Sequence, residues 1–420
     1  MPVSRPTALG ALLIATAAAV ASCSSGSTQS GSDSSTPSPS VSASSGSASA
    51  ESPGTGASAS ASSTPTPTPT PEPVWHSPLT GLPGGEPEPV LVVKLDNTRN
   101  AQPHAGLVNA DVVYIEEVEY GITRLAAVFS SSVPDRIGPV RSARITDIDL
   151  LAQFRKPAFA YSGAQRKMYP VIDKAPLQDV SPRRGGEGYA RDSSRRAPYN
   201  YFLDGEVALQ RAPKASLSRD IGFVFDEAVP PGGRTATDAQ MKWGYASAGF
   251  EYRPKKGTYA VSLNGVKAEA EENKAGQQAA TVVIQYVDQN PSPFYDKGGG
   301  NTPHAETIGS GRAVVLRDGL GWKVQWSRPS AKEGTTFTMA DGSPMAFKPG
   351  QVWVALLSKE RKATLTPWTW PPGTEPSDSA TPSTTPSTSP SSTTSPSSTT
   401  SPTSSTSTTP TGSPSGSTAG

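Results

Sequence analysis

The sequence predicts an α+β fold, mixed α/β in its first half and β-rich in its second, set between two disordered flanks. Three observations carry that reading. In the first half, short β-branched runs alternate with a stretch of helical period. In the second half, apolar runs are separated by Asn-Gly and Asp-Gly pairs, the composition of tight hairpin turns. Residues 24 to about 74 and about 372 to 420 are almost entirely Ser, Thr, Pro, Gly and Ala. They are too poor in apolar surface to offset the entropy of ordering. About 295 residues lie between these flanks, enough for one large core or two modest ones.

The elements follow in order. Val90-Leu-Val-Val-Lys-Leu95 is unbroken in its apolar character apart from the lysine and reads as a buried strand, ended by Asp96-Asn97 as a turn or cap. Two strands from about 111 to 119 and from 122 to 130 meet at Tyr120-Gly121. With those two as the central turn residues, Glu117 stands opposite Arg124 as a cross-strand ion pair. Ile145, Ile148, Leu151 and Ala152 recur at helical spacing, which predicts a helix from about 146 to 154. Pro157 closes it and opens another strand through Gly163. Later runs beginning at Phe250, Thr258, Thr281, Ala313 and Val352 read as strands, with hairpin turns at Asn264-Gly265, Asp318-Gly319 and Asp341-Gly342.

The amino terminus carries an export pattern. Arg5 precedes an apolar segment from Ala8 to Ala21, shorter than the ~20 residues a helix needs to span the hydrocarbon core. It leads into Val20-Ala21-Ser22-Cys23, small residues before a cysteine, which resembles a lipobox. The expectation is a signal peptide over 1–22, lipid of the palmitate class on Cys23, and anchoring at the extracytoplasmic face of the cell membrane. Residues 23–74 then form a tether, with Pro65 to Pro73 as its stiff part.

Composition narrows the chemistry. Cys23 is the single cysteine of the chain, so neither a disulfide nor a thiol nucleophile is available to the folded region. His76, His104 and His304 show no ligand spacing, so no metal and no cofactor is expected. A net charge of +1 gives no reason to expect nucleic acid.

Among candidate sites, Arg141-Ser142-Ala143-Arg144 is the sharpest. Two guanidinium groups three residues apart, beside free backbone N–H groups at a helix start, suit a phosphate or carboxylate, and Arg124 is expected nearby. The competing structural reading pairs Arg124 with Glu117, and Arg141 and Arg144 with Asp147 or Glu116. A polar loop from Arg183 to Arg196 with five arginines is a second place for a polyanion. Glu117 and Glu119 on one strand face are the carboxylates a glycan-modifying enzyme would use. Ser162 lacks the glycine elbow of a serine hydrolase.

A set of short motifs resembles one family. Leu95-Asp96-Asn97, Gln102-Pro103, Gly106-Leu107, Ala110-Asp111-Val112, Gly121-Ile-Thr-Arg124 and Gly138-Pro-Val-Arg-Ser-Ala-Arg144 occur in sequence. Ala197-Pro198-Tyr199-Asn200, Gly319 to Arg328, Asp341-Gly342 and Pro349 to Trp353 follow. Together they are similar to the YerB-like family of bacterial envelope lipoproteins, whose molecular activity is unknown. The resemblance implies an amino-terminal module, 75–215, and a smaller β-rich carboxy-terminal module, 216–360, with a Ser/Thr/Pro-rich tail over 361–420. His104 interrupts one motif and is a poor catalytic candidate. The resulting expectation is an envelope lipoprotein that binds an anionic wall component or a partner protein through Arg124, Arg141 and Arg144. The alternative is a wall-glycan enzyme using Glu117 or Glu119.

Overall fold

The structure, a computed structural model, describes residues 74–369. Cys23, the signal segment, most of the expected tether and most of the tail lie outside the described residues. The α+β expectation holds, with strand far in excess of helix.

In chain order, β1 (Leu91–Asp96), β2 (Val112–Glu117) and β3 (Thr123–Phe129) precede α1 (Thr146–Ala152), β4 (Ala158–Ala160), α2 (Tyr169–Lys174), β5 (Gln178–Asp179) and α3 (Gly205–Gln210). Then come β6 (Asp238–Lys242), β7 (Ser247–Arg253), β8 (Thr258–Leu263), β9 (Thr281–Val287), β10 (Gln289–Tyr295) and β11 (Asn301–Ala305). The series ends with β12 (Gly309–Arg317), β13 (Leu320–Arg328), β14 (Thr336–Thr338), β15 (Val352–Ser358) and β16 (Thr364–Thr366). Further two- and three-residue strands complete the sheets.

One mixed sheet of eleven strands organises the molecule, with the order β14-β13-β12-β9-β15-β2-β3-β1-β4-β5 and the short strand Arg234–Thr235 beside β13. Strands from both halves of the sequence share it, because β15 pairs in parallel with both β2 and β9. Its central strands are buried on both faces, which is why they read as continuous apolar runs rather than alternating ones. Alternate residues go to two cores. Leu91, Val93, Val113, Leu125, Ala355 and Leu357 face a second sheet, whose main strands run β8-β7-β6-β16, together with α3. Val92, Val112, Tyr114, Ala126, Val128 and Val354 face α1 and α2.

The strand β16, beyond the expected end of the folded region at residue 360, pairs with β6 and extends the second sheet. Both two-residue turns foreseen at Asn264-Gly265 and Asp318-Gly319 form, with positive φ at all four residues and Leu263 opposite Val266 and Arg317 opposite Leu320.

The β2–β3 hairpin departs from expectation by one residue. Its loop holds Glu119, Tyr120 and Gly121, three residues rather than two, with Tyr120 at φ 60° and Gly121 at φ 66°. The extra residue shifts the ladder, so Arg124 stands opposite Glu116, and Glu117 opposite Thr123. The Glu117–Arg124 pairing is therefore not made.

Candidate functional site

Arg124 lies on β3 near one end of the sheet, on the face that α1 covers. It is flanked in register by Glu116 of β2 and Asp96 of β1. The chain between β3 and α1 then passes across the same end. Arg141 N–H donates to Lys94 O (2.7 Å), Ser162 N–H to Arg141 O (2.8 Å) and Ala143 N–H to Gly163 O (2.9 Å). These bonds fix Arg141 and Arg144 in an extended segment beside Arg124. The three guanidinium groups do converge, as the sequence suggested, on a cleft of about 830 Å³.

Two stretches of chain wall this cleft. One is 164–169, contributing Gln165, Arg166 and Tyr169, and the other is the β10–β11 hairpin, contributing Phe294, Tyr295, Asp296, Lys297 and Thr302. The lining holds five cationic side chains (Arg124, Arg141, Arg144, Arg166 and Lys297) against two carboxylates, Glu119 and Asp296. The cleft is therefore electropositive.

The partners differ from those the sequence suggested. Arg144 takes Glu119 side-on, with Nε to Oε1 at 2.5 Å and Nη2 to Oε2 at 2.8 Å. Arg141 Nε is 2.6 Å from Asp96 Oδ2. Asp147 accepts the backbone N–H of Arg144 at 2.6 Å instead of pairing with its guanidinium. The backbone N–H groups of Arg141 and Arg144 are thus engaged within the protein. Arg124 donates Nη1 to Ser142 O at 2.6 Å. Among the described residues, no carboxylate lies at ion-pair distance from it. Arg124 is 5% exposed. Burial, reinforced by the like charges of Arg144 and Arg141, pulls its pKa down to about 9, so it remains cationic at neutral pH.

Glu119 sits in the cleft while Glu117 does not line it. Burial opposes ionisation of Glu119, but hydrogen bonds from Arg144 and Thr302 and the charges of Arg144 and Arg124 outweigh it and hold its pKa below the ordinary carboxylate value. Glu117 points to Arg361, 3.1 Å away, and its pKa is raised by burial.

Beneath the cleft, between the sheet and α1, Lys94 Nζ lies 2.6 Å from Glu116 Oε2 and donates to Asp147 Oδ1 at 2.7 Å, all three side chains being fully buried. Burial and the neighbouring Asp147 charge push Glu116 up to about 8. At neutral pH one proton and one ammonium balance two carboxylates, which is how a buried cluster of this kind stays neutral.

His104 is also buried. One ring nitrogen contacts Asp96 O at 2.6 Å, and burial lowers its pKa, consistent with a structural place. Four of the five arginines of the Arg183–Arg196 loop are likewise tied to the protein, Arg196 being exposed. Arg183 and Arg184 pair with Asp173 and Asp179, Arg191 bonds Asn200, and Arg195 reaches Glu271 and the carbonyls of Ala101 and Pro103.

Sequence reasoning missed the hairpin wall. Asp296, Lys297 and Thr302 are more than 150 residues from the arginines they face, and their only local sign is the glycine run Gly298-Gly299-Gly300. His304, on β11, fastens that wall to α1 through Asp149 (3.1 Å), and its other ring nitrogen lies 3.3 Å from Glu306 just beyond the same strand. The Asp149 hydrogen bond raises its pKa.

The chain matches two family models, described as the amino-terminal domain (residues 79–218) and the carboxy-terminal domain (residues 239–354) of a protein of unknown function, DUF3048. It is 46% identical over 295 residues to YerB of Bacillus subtilis (strain 168), a protein named as a lipoprotein, covering 67% of this chain and 86% of that one. The fold superimposes on the crystal structure of YerB from Bacillus subtilis with a TM-score of 0.59, covering 69% of this chain and 99% of that chain. Residues paired by that superposition are 19% identical, and it speaks to fold alone.

Proposed function

The chain belongs to the DUF3048 family of proteins of unknown function, and from that premise and the cleft we propose a lipid-anchored envelope protein that binds an anionic wall component through Arg124, Arg141 and Arg144. Lipid on Cys23, at the extracytoplasmic face of the membrane, is supported by the lipobox-like sequence and by a relative named as a lipoprotein.

The observation that carries the binding reading is the imbalance on the cleft floor. Three guanidinium groups meet there, and only two have a carboxylate partner. A desolvated cation hemmed in by two others is costly to maintain. A ligand phosphate or carboxylate relieves that cost and gains charge-assisted hydrogen bonds. Tyr169 and Tyr295 on the walls add aromatic surface for the remainder of such a ligand.

Cosedimentation of purified wall fragments with the protein tests this. Binding should weaken steeply as salt is raised. Arg141→Ala should weaken it about tenfold, the scale of one hydrogen bond to a charged group. Binding indifferent to both salt and Arg141 would exclude the cleft as its site.

A further inference from the structure

We propose that Glu119 is the resident counter-ion of this cleft: an incoming anion takes its place on Arg144, and the exchange loosens the β10–β11 hairpin. The idea rests on the reading above that the cleft takes an anion, and adds what that anion must be and what its arrival does.

The Arg144–Glu119 contact has the side-on, two-bond geometry with which a guanidinium receives an external carboxylate or phosphate. A ligand that uses Arg144 in this way must displace Glu119. The position of Glu119 permits it. The β2 ladder ends at Glu117, and Glu119 stands in the three-residue loop, so its side chain can swing out without breaking a strand bond.

The same carboxylate also holds the hairpin. Glu119 Oε1 accepts the hydroxyl of Thr302, which is 2% exposed. The other polar ties at this rim are Tyr120 OH to Asp296 Oδ1 at 3.2 Å and Gln165 Nε2 to Tyr295 O at 2.5 Å. The Thr302 bond is buried in the cleft wall, and the other two are exposed at its rim.

The exchange also selects the ligand. A tethered carboxylate competes at an effective concentration on the order of millimolar or more. A single external carboxylate only replaces like with like. A group with two or more negative charges, reaching Arg124 as well as Arg144, gains contacts that Glu119 alone does not make. The cleft therefore favours phosphomonoester or polyphosphate chemistry over monocarboxylates.

The test uses the full chain, with inorganic pyrophosphate and acetate as probes, titration calorimetry for affinity, and hydrogen exchange over residues 289–305. Glu119→Gln should bind pyrophosphate about tenfold more tightly than wild type, while acetate binds neither measurably. Saturating pyrophosphate should speed exchange in the hairpin of the wild type. Thr302→Val, which keeps the shape and every charge, should speed hairpin exchange without ligand and leave pyrophosphate affinity undiminished.

Binding by Glu119→Gln but not by wild type would support the exchange in its strongest form. Equal or weaker binding by Glu119→Gln, or hairpin exchange indifferent to pyrophosphate, would overturn the exchange. If wild type still binds in an Arg141-dependent way, the anion site survives that failure. If neither protein binds, both readings fall together.

Discussion

Gly121 shows how closely single residues set this site. Its φ is 66°, and a Cβ there would lie 2.5 Å from Gly244 Cα in the β6–β7 turn of the second sheet. The backbones meet so closely that Tyr245 N–H donates to Gly121 O at 2.8 Å. Gly121→Ala meets both a left-handed backbone and a steric clash, and should destabilise the protein by about 2 kcal/mol or more, read as a drop in urea midpoint. The arginine cluster was legible in the sequence because Arg141 and Arg144 are three residues apart and Arg124 is near in the chain. Their partners were not. A two-residue loop and a three-residue loop look alike in Glu-Tyr-Gly-Ile, yet the choice moves every cross-strand partner by one position. A tyrosine at φ 60° is uncommon, and no composition rule announces it.

The helix α1 is joined to the sheet by more than apolar contact. Its Asp147 shares Lys94 with Glu116, and the raised pKa of Glu116 makes that junction pH-dependent. The folded protein keeps a proton on Glu116 that the unfolded chain gives up near 4.5. This contribution to stability is complete below about pH 4.5 and is lost as pH rises through about 8. Glu116→Gln should flatten that decline in a series of unfolding curves from pH 5 to 9. Parallel profiles for the two proteins would place the proton elsewhere. Most strands were readable from their apolar runs, and Asn-Gly and Asp-Gly marked two of the turns. The β10–β11 hairpin was not, since Pro291 and Pro293 argue against a strand. Proline is tolerated there because, among the described residues, β10 pairs only with β11 and has no neighbour on its other side.

At the scale of the molecule, the chief fact is that the halves of the sequence complete one sheet. Val112 pairs with Val352, a separation of 240 residues, and no local pattern encodes a pairing of that range. A chain ending at residue 218 would leave the long apolar edge of β2 without its partner. It should give no cooperative unfolding transition and should elute as aggregate on size exclusion, even though it contains the whole amino-terminal family match. A monomeric, cooperatively folding fragment would show that β15 is dispensable. The shared sheet also bears on the order in which the protein is made. Synthesis delivers β2 long before β15, so the first strands wait for most of the chain before their centre can close. Contacts of such separation make folding slow. A protein built this way depends on being kept from premature association while it is still incomplete, and that demand falls on the cell rather than on the fold.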